Sequence, residues 1–446
     1  MPRVQLPRRT SHKHRPASPT DRFLSQRALD QWLSRLEART PEVRIELGLE
    51  RVRQVLARLA LDLGERRIVT VAGTNGKGSV IAFLESLARQ AGRGVFAYTS
   101  PHLVHFAERM RIDGEAAPAA AIVAALDRVE QARGDDYLSY FEQITLAALC
   151  LAERSPVELV LLEVGLGGRL DAVNVLDADV AVLTSIGLDH TEWLGPTRLA
   201  IGREKIAVAR AGRPLVIGEK RLPAGLSDDI AAIGAQHWQA GRDFRWRRQG
   251  DGFVLHLPGQ RQQLPMPSMA GPWQLGNAAC ALAAWVCLGP DWAIADEQRS
   301  AALREAFVPG RLQTVHHNPD VVFDVAHNPA AARLLARALG PKADGQDSIA
   351  VFSALRDKAI EPIARALDGC FSRWLIAPLP GPRGRSVPEI QAALERAAVG
   401  GGVEALESVA GALLRALELA GDGDRIVVFG SFHTVAEAWP VIKKPG

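Results

Sequence analysis

Two hydrophobic rhythms alternate along the chain. Short β-branched apolar runs at residues 68–72, 95–99, 157–162 and 180–184 predict buried strands. Between the first two, Val80, Phe83, Leu84, Leu87, Ala88 and Ala91 fall on one helical face, and Gly92 closes that helix. Residues 68–99 therefore predict a βαβ unit, right-handed by default. Residues 26–36, 117–133 and 144–151 read as further helices, the last preceded by Ser139 and Glu142 in the spacing of a capping box. Residues 243–264 switch to a period of two around Gly250 and Gly252, which predicts a β-hairpin appended to the main sheet. Trp273 to Asn277 opens an Ala-rich helix, and Val308-Pro309-Gly310-Arg311 reads as a hinge. The βα rhythm then restarts, with strands expected at 321–323, 349–352, 374–377 and 425–429. The expected architecture is α/β: a basic disordered tail at 1–25, a phosphate-loop domain with a parallel sheet and a small β subdomain at 26–308, and a second Rossmann-like domain at 309–446.

The break after residue 72 carries the first chemistry. Gly73-Thr74-Asn75-Gly76-Lys77-Gly78-Ser79 lies between a strand and a helix start, where backbone N–H groups converge at the positive end of the helix dipole. Lys77 adds a cation and Ser79 a hydroxyl, which suits polyphosphate with Mg²⁺. The spacing departs from the general phosphate-loop pattern, because Val71 replaces its first glycine and Gly78 separates Lys77 from Ser79. Other strand tips end in Ser100, Glu163 and, a few residues on, His190. Alone, Ser100 would be a turn residue and His190 a structural histidine; on one sheet edge with Lys77 they suggest a ligand crevice. Lys205, by helical pattern alone, is a surface or snorkelling lysine. The second domain offers Asp324-Val325-Ala326-His327-Asn328-Pro329 and Gly430-Ser431 at strand ends.

Composition narrows the class. At 446 residues the chain can hold two or three cores, and a net charge of +3 is too mild to argue for nucleic acid. The four cysteines are unclustered and read as reduced core residues of a cytoplasmic protein. No apolar run reaches the ~20 residues of a membrane span.

With these motifs in view, the sequence resembles the folylpolyglutamate synthase/dihydrofolate synthase family of the Mur-ligase superfamily. The resemblance rests on residues 73–79, Ser100-Pro101-His102, Gly168-Arg169-Leu170-Asp171-Ala172, Asp189-His190-Thr191, Glu204-Lys205, Pro309-Gly310-Arg311 and residues 324–329, and runs from about Gln26 to Ala438. It implies a Mur-ligase-type fold and an ATP-dependent amide ligase that joins L-glutamate to dihydropteroate and to reduced folates through an acyl phosphate. It places Gly73 to Ser79, Asn277, Arg311 and Asp324 on ATP. It places Ser100, Glu163, His190 and a carbamylated Lys205 around two Mg²⁺ ions. Glu46, Leu47, Gly48, Ser139, Tyr140, Phe141, Glu142, Arg169, Leu170, Asp171 and Ala172 would contact dihydropteroate. His327 and Ser431 would face the incoming glutamate, and with Lys77, Lys205, His190 and Asp324 they would carry the chemistry. The implied protein is a cytoplasmic monomer without nucleic-acid or membrane partners. Ala359 stands where the family usually has a second acid, and Ile206-Ala207 where Ala-Gly is common. A muramyl-peptide ligase would need an extra N-terminal domain, for which too little sequence precedes Ile68. A bare P-loop hydrolase leaves the second domain unexplained.

Overall fold

The computed structural model describes residues 19–42, 44–341 and 345–443. Its first sheet contains β1 (Arg67–Ala72), β2 (Val95–Tyr98), β3 (Met110–Ile112), β4 (Glu115–Ala116), β5 (Leu159–Glu163), β6 (Val180–Leu183), β7 (Pro214–Ile217) and β8 (Gln236–Gln239). The strand order is β4-β3-β2-β5-β1-β6-β7-β8, with every pairing parallel except β2–β3 and β3–β4, so that β3 alone runs against the rest. The βαβ expectation thus needs one correction: β5 lies between β1 and β2, so the two strands are not neighbours. β1 and β5 are buried on both faces, as helices on each side require. One face, with Ile68, Phe96 and Leu162, packs helices Pro19–Arg39, Ala119–Arg133 and Tyr140–Arg154. The other, with Val69 and Val71, packs helices Lys77–Gln90, Gln274–Cys287 and Asp296–Glu305. A fully buried Leu such as Leu161 or Leu162 contributes about 2 kcal/mol over leaving it exposed.

Three sequence expectations change. The first helix starts at Pro19, before the expected residue 26; the tail reading for residues 1–18 lies outside the described residues. The hairpin is a three-stranded antiparallel sheet of its own, β9 (Arg245–Gln249), β10 (Gly252–Leu257) and β11 (Gln260–Pro265), with no ladder to the main sheet. Phe253 and Leu255 of β10 bury themselves in the same cluster as the Ala-rich helix, so burial holds this sheet where strand pairing does not. The second domain has two strands beyond the four expected. Its order is β12-β13-β17-β14-β15-β16: β12 (Gln313–His316), β13 (Asp320–Phe323), β14 (Ser348–Phe352), β15 (Arg373–Ile376), β16 (Gly402–Ala405) and β17 (Arg425–Phe429). β12 and β16 are the edge strands and carry few apolar residues, so the hydrophobic pattern did not show them.

Candidate active site

The carboxyl ends of β2, β5, β1 and β6 form one edge, and the register pairs Val71 of β1 with Glu163 of β5. The phosphate loop is held there from β6. Thr74 N donates to Ser185 O (2.9 Å), Asn75 N to Ser185 Oγ (3.0 Å), and Thr184 Oγ1 to Asn75 O (2.6 Å). Gly73 has φ +151°, and a Cβ there would stand 1.8 Å from Thr184 Oγ1. Only glycine lets the loop pass that close. Lys77 opens the following helix and donates back to Gly73 O (3.1 Å) and Thr74 O (3.4 Å). Ser79 is buried and accepts from Gln274 Nε2 (3.3 Å), whose own amide oxygen accepts from Asn277 Nδ2 (2.8 Å). Gln274 was missed in the sequence; nothing in the pattern separates it from its helix neighbours.

Glu163 is buried at the tip of β5, accepts from Ser100 N (3.2 Å) and lies beside Gly78. Burial pushes its carboxyl above the usual range, against the pull of Lys77 and Arg311. Lys205 lies on helix Arg198–Ile206 and is only 4% exposed, which overturns the surface-lysine reading. The helix comes this close because residue 168 is glycine: a Cβ there would be 2.6 Å from Glu204 O. Lys205 Nζ donates to Gly73 O (3.2 Å), the same oxygen that Lys77 uses, and forms no ion pair among the described residues. Burial, then Lys77, brings its pKa down to about 7. His190 stands nearby in a left-handed conformation (φ +49°), its pKa brought to about 4 by burial and Lys358.

From the second domain, Arg311 lies over the ring of Phe432 (5.3 Å). Asp324 is buried and accepts from Leu312 N and Ala326 N (both 2.8 Å); burial raises its pKa against the pull of Arg311. His327 reaches the same cleft, its Nδ1 on Val325 O (2.8 Å). Ser431 is buried with its Oγ 2.7 Å from Thr434 Oγ1.

An apolar slot of about 280 Å³ adjoins the phosphate loop. Glu46, Leu47, residues 139–142, Leu170, Asp171 and Ala172 line it. The capping box is also present: Ser139 N donates to Glu142 Oε2 (2.8 Å). Asp171 accepts from Leu166 N (2.8 Å) and Val173 N (3.0 Å), while burial raises its pKa to about 6. Two expected residues are not brought to the slot. Arg169 is exposed and paired with Glu204 (2.8 Å), and Gly48 is not in the lining. Arg109, fully buried, supports the slot by joining His102 Nδ1 (2.9 Å) to Glu42 Oε1 (2.7 Å), and no sequence signal marked it.

The domains meet on Asp189. Its carboxylate accepts from Lys358 Nζ (3.1 Å) and Asn328 Nδ2 (3.0 Å), with His327 Nε2 at 3.7 Å. Asn328 also exchanges amide hydrogen bonds with Asn75 of the phosphate loop (3.0 and 3.2 Å). The contact between the domains thereby reaches the loop itself. Burial works against the charge of Asp189, yet His327 and Lys358 hold its carboxyl well below the usual range. Asp189→Asn should therefore cost about 2 kcal/mol of stability at neutral pH, the scale of lost hydrogen bonds to a charged group, since Lys358 keeps Asp357. A depressed carboxyl contributes stability above its unfolded pKa, so the gap to wild type should narrow below about pH 4. Denaturant unfolding at pH 7 and pH 3 checks this; a gap independent of pH would remove the charge from the argument.

Comparison with known proteins identifies the family. The Mur ligase, glutamate ligase domain family matches residues 310–432. The dihydrofolate synthase/folylpolyglutamate synthase of Escherichia coli (strain K12) is 41% identical over 415 residues, covering 93% of this chain and 95% of that one. The chain belongs to the dihydrofolate synthase/folylpolyglutamate synthase family. Among solved structures of this family, E. coli FolC in complex with DHPP and ADP superposes with a TM-score of 0.86 at 40% identity, over 93% of this chain and 97% of that chain. A bifunctional family member with Mn, AMPPNP and L-glutamate bound gives 0.85 at 40% identity, over 93% and 98%. Among the described residues no helix is long and apolar enough to cross a membrane.

Proposed function

We propose that this chain is an ATP-dependent ligase that adds L-glutamate to dihydropteroate, giving dihydrofolate, and to the γ-carboxyl of reduced folates. One observation carries the reading: the apolar slot opens directly onto the phosphate loop, because Ser100, Pro101, His190, His327 and Phe432 border both cavities. A flat acceptor in the slot would present its carboxylate to ATP held by Gly73 to Ser79. Phosphoryl transfer is largely positioning and charge neutralisation. Lys77 and the loop amides supply part of that, and Arg311 and Asp324 meet the nucleotide from the second domain. The carboxylate becomes an acyl phosphate; the amine of glutamate, held near His327 and Ser431, attacks it and phosphate leaves. The closed second domain excludes water from that step.

Among the described residues no three His, Cys, Asp or Glu side chains are grouped as metal ligands. That composition fits Mg²⁺, which takes one or two protein carboxylates and fills its shell with water and phosphate oxygens. Glu163 and Ser100, with His190 and a carbamate on Lys205, would hold Mg²⁺ beside the loop, where it would neutralise phosphate charge. Glu163→Gln should cut the rate at least ~100-fold and raise the Mg²⁺ requirement. Its melting temperature should stay unchanged or rise, since the buried ionised carboxyl is a cost to the fold. Ordinary Mg²⁺ dependence in this variant would end the metal role. The protein is read as a cytoplasmic monomer.

The decisive assay offers ATP and L-glutamate with dihydropteroate and, separately, with tetrahydrofolate. One ADP per glutamate joined is expected with each acceptor. ATP hydrolysis indifferent to the acceptor would overturn the ligase reading.

A further inference from the structure

Most ion pairs of this protein are made by arginines; Arg51, Arg93 and Arg203 each face a carboxylate. Among the second-domain arginines without such a partner, three share one cleft. Arg333 stands in the first turns of helix Pro329–Leu339, Arg356 in the loop after β14, and Arg383 in the loop after β15. None has a carboxylate within ion-pair distance among the described residues, and the Arg356 side chain donates only to Gly384 O (3.1 Å). All three line one cleft of about 860 Å³ between the domains, together with Leu188 and Trp193. Those two apolar side chains are 50% and 47% exposed. Three acids line the cleft; Asp189 and Asp357 are taken up by Lys358, and Glu192 is exposed at its rim, so the three arginines leave the cleft with a surplus of positive charge. The cleft joins the acceptor slot, since Ile45, His190, His327, Lys358 and Arg383 border both.

We propose that this cleft holds the γ-linked oligoglutamate tail of longer folate substrates, with free α-carboxylates on Arg333, Arg356 and Arg383 and methylenes on Leu188 and Trp193. The inference rests on the ligase reading above. Each γ-glutamyl unit lengthens the acceptor, while its reacting carboxyl must remain at the phosphate loop. The added length has to leave the slot, and this contiguous opening has unpaired positive charge to receive it. A γ-glutamyl chain repeats one carboxylate and two methylenes per unit, which suits a lining that mixes arginines with exposed apolar side chains. Dihydropteroate has no tail and makes no use of the cleft. Free L-glutamate has the same carboxylate chemistry, so the test separates the two.

The experiment compares the full-length wild type with an Arg333→Gln/Arg356→Gln double variant on dihydropteroate, monoglutamyl tetrahydrofolate and its triglutamyl form. The last is read as KM, or as Ki where it is not extended. Expected for the variant are kcat and KM for dihydropteroate, and KM for L-glutamate, within about twofold of wild type. The constant for the triglutamate should rise about tenfold, roughly two solvent-facing charge-assisted contacts. An ionic strength of about 0.5 M should weaken triglutamate binding to wild type more than to the variant. The Arg333→Lys/Arg356→Lys variant should keep most of the affinity. An equal rise for all three acceptors, a rise confined to L-glutamate, or no rise for the triglutamate would overturn the proposal. Failure of the ligase reading looks different: the wild type would join glutamate to none of the acceptors.

Discussion

Lys77→Ala is expected to lower product formation at least ~1,000-fold while leaving the fold intact. The side chain makes no ion pair among the described residues; it donates only to Gly73 O and Thr74 O of its own loop. Removing those two bonds costs the folded state little, because the loop is fixed from Thr184 and Ser185 rather than by the lysine. What disappears is a mobile cation at the loop that can follow charge onto the transferring phosphoryl group. Melting temperature should therefore stay close to wild type while turnover collapses. A second readout is internal. Lys77 is, after burial, the strongest influence depressing the Lys205 pKa, so Lys205 should bind its proton more tightly in the variant. Wild-type turnover with ordinary ATP affinity would remove the phosphate-loop assignment.

The parts legible in the sequence were those whose chemistry is local. Gly73 to Ser79 announces itself because a glycine-rich strand-to-helix turn with a lysine has few other uses, and β1, β5 and β6 are continuous apolar runs. Glu163 was visible for a related reason: an acid ends a strand that is otherwise buried throughout. Residues that act across the fold were not legible. Asp189 looks like any loop acid until Lys358, Asn328 and His327 of the other domain converge on it. Arg109 sits between His102 and Glu42, partners separated from it by 7 and 67 positions, so no spacing rule could pair all three. Lys205 misled most plainly. Helical periodicity places it beside Glu204 on a charged stretch, yet the backbone of Gly168 lets the helix sink against the loop and takes the ammonium out of water. The resemblance located Lys205 where periodicity could not.

That burial sets the last expectation: Lys205→Arg should be as inactive as Lys205→Ala. An ammonium buried without a carboxylate, sharing the Gly73 carbonyl with a second lysine, is an unfavourable arrangement to keep charged. With the pKa brought down to about 7 by burial and Lys77, the neutral amine is far more accessible near neutral pH than for a free lysine. A neutral amine adds to CO₂, forming an N–C bond and releasing one proton, and the carbamate so formed carries one negative charge. The change turns a group that repels Mg²⁺ into one with the oxygen ligands Mg²⁺ prefers, and it relieves the repulsion from Lys77. Arginine cannot follow this route because it stays charged. Lys205→Ala leaves the oxygen site vacant, so added acetate or formate should restore part of its activity and should do nothing for Lys205→Arg. Wild type kept under ¹³CO₂ should show a carbamate carbon resonance that both variants lack. A fully active Lys205→Arg enzyme, or an unmodified ammonium at Lys205 in a Mg²⁺-loaded crystal, would return Lys205 to the role of a buried structural lysine.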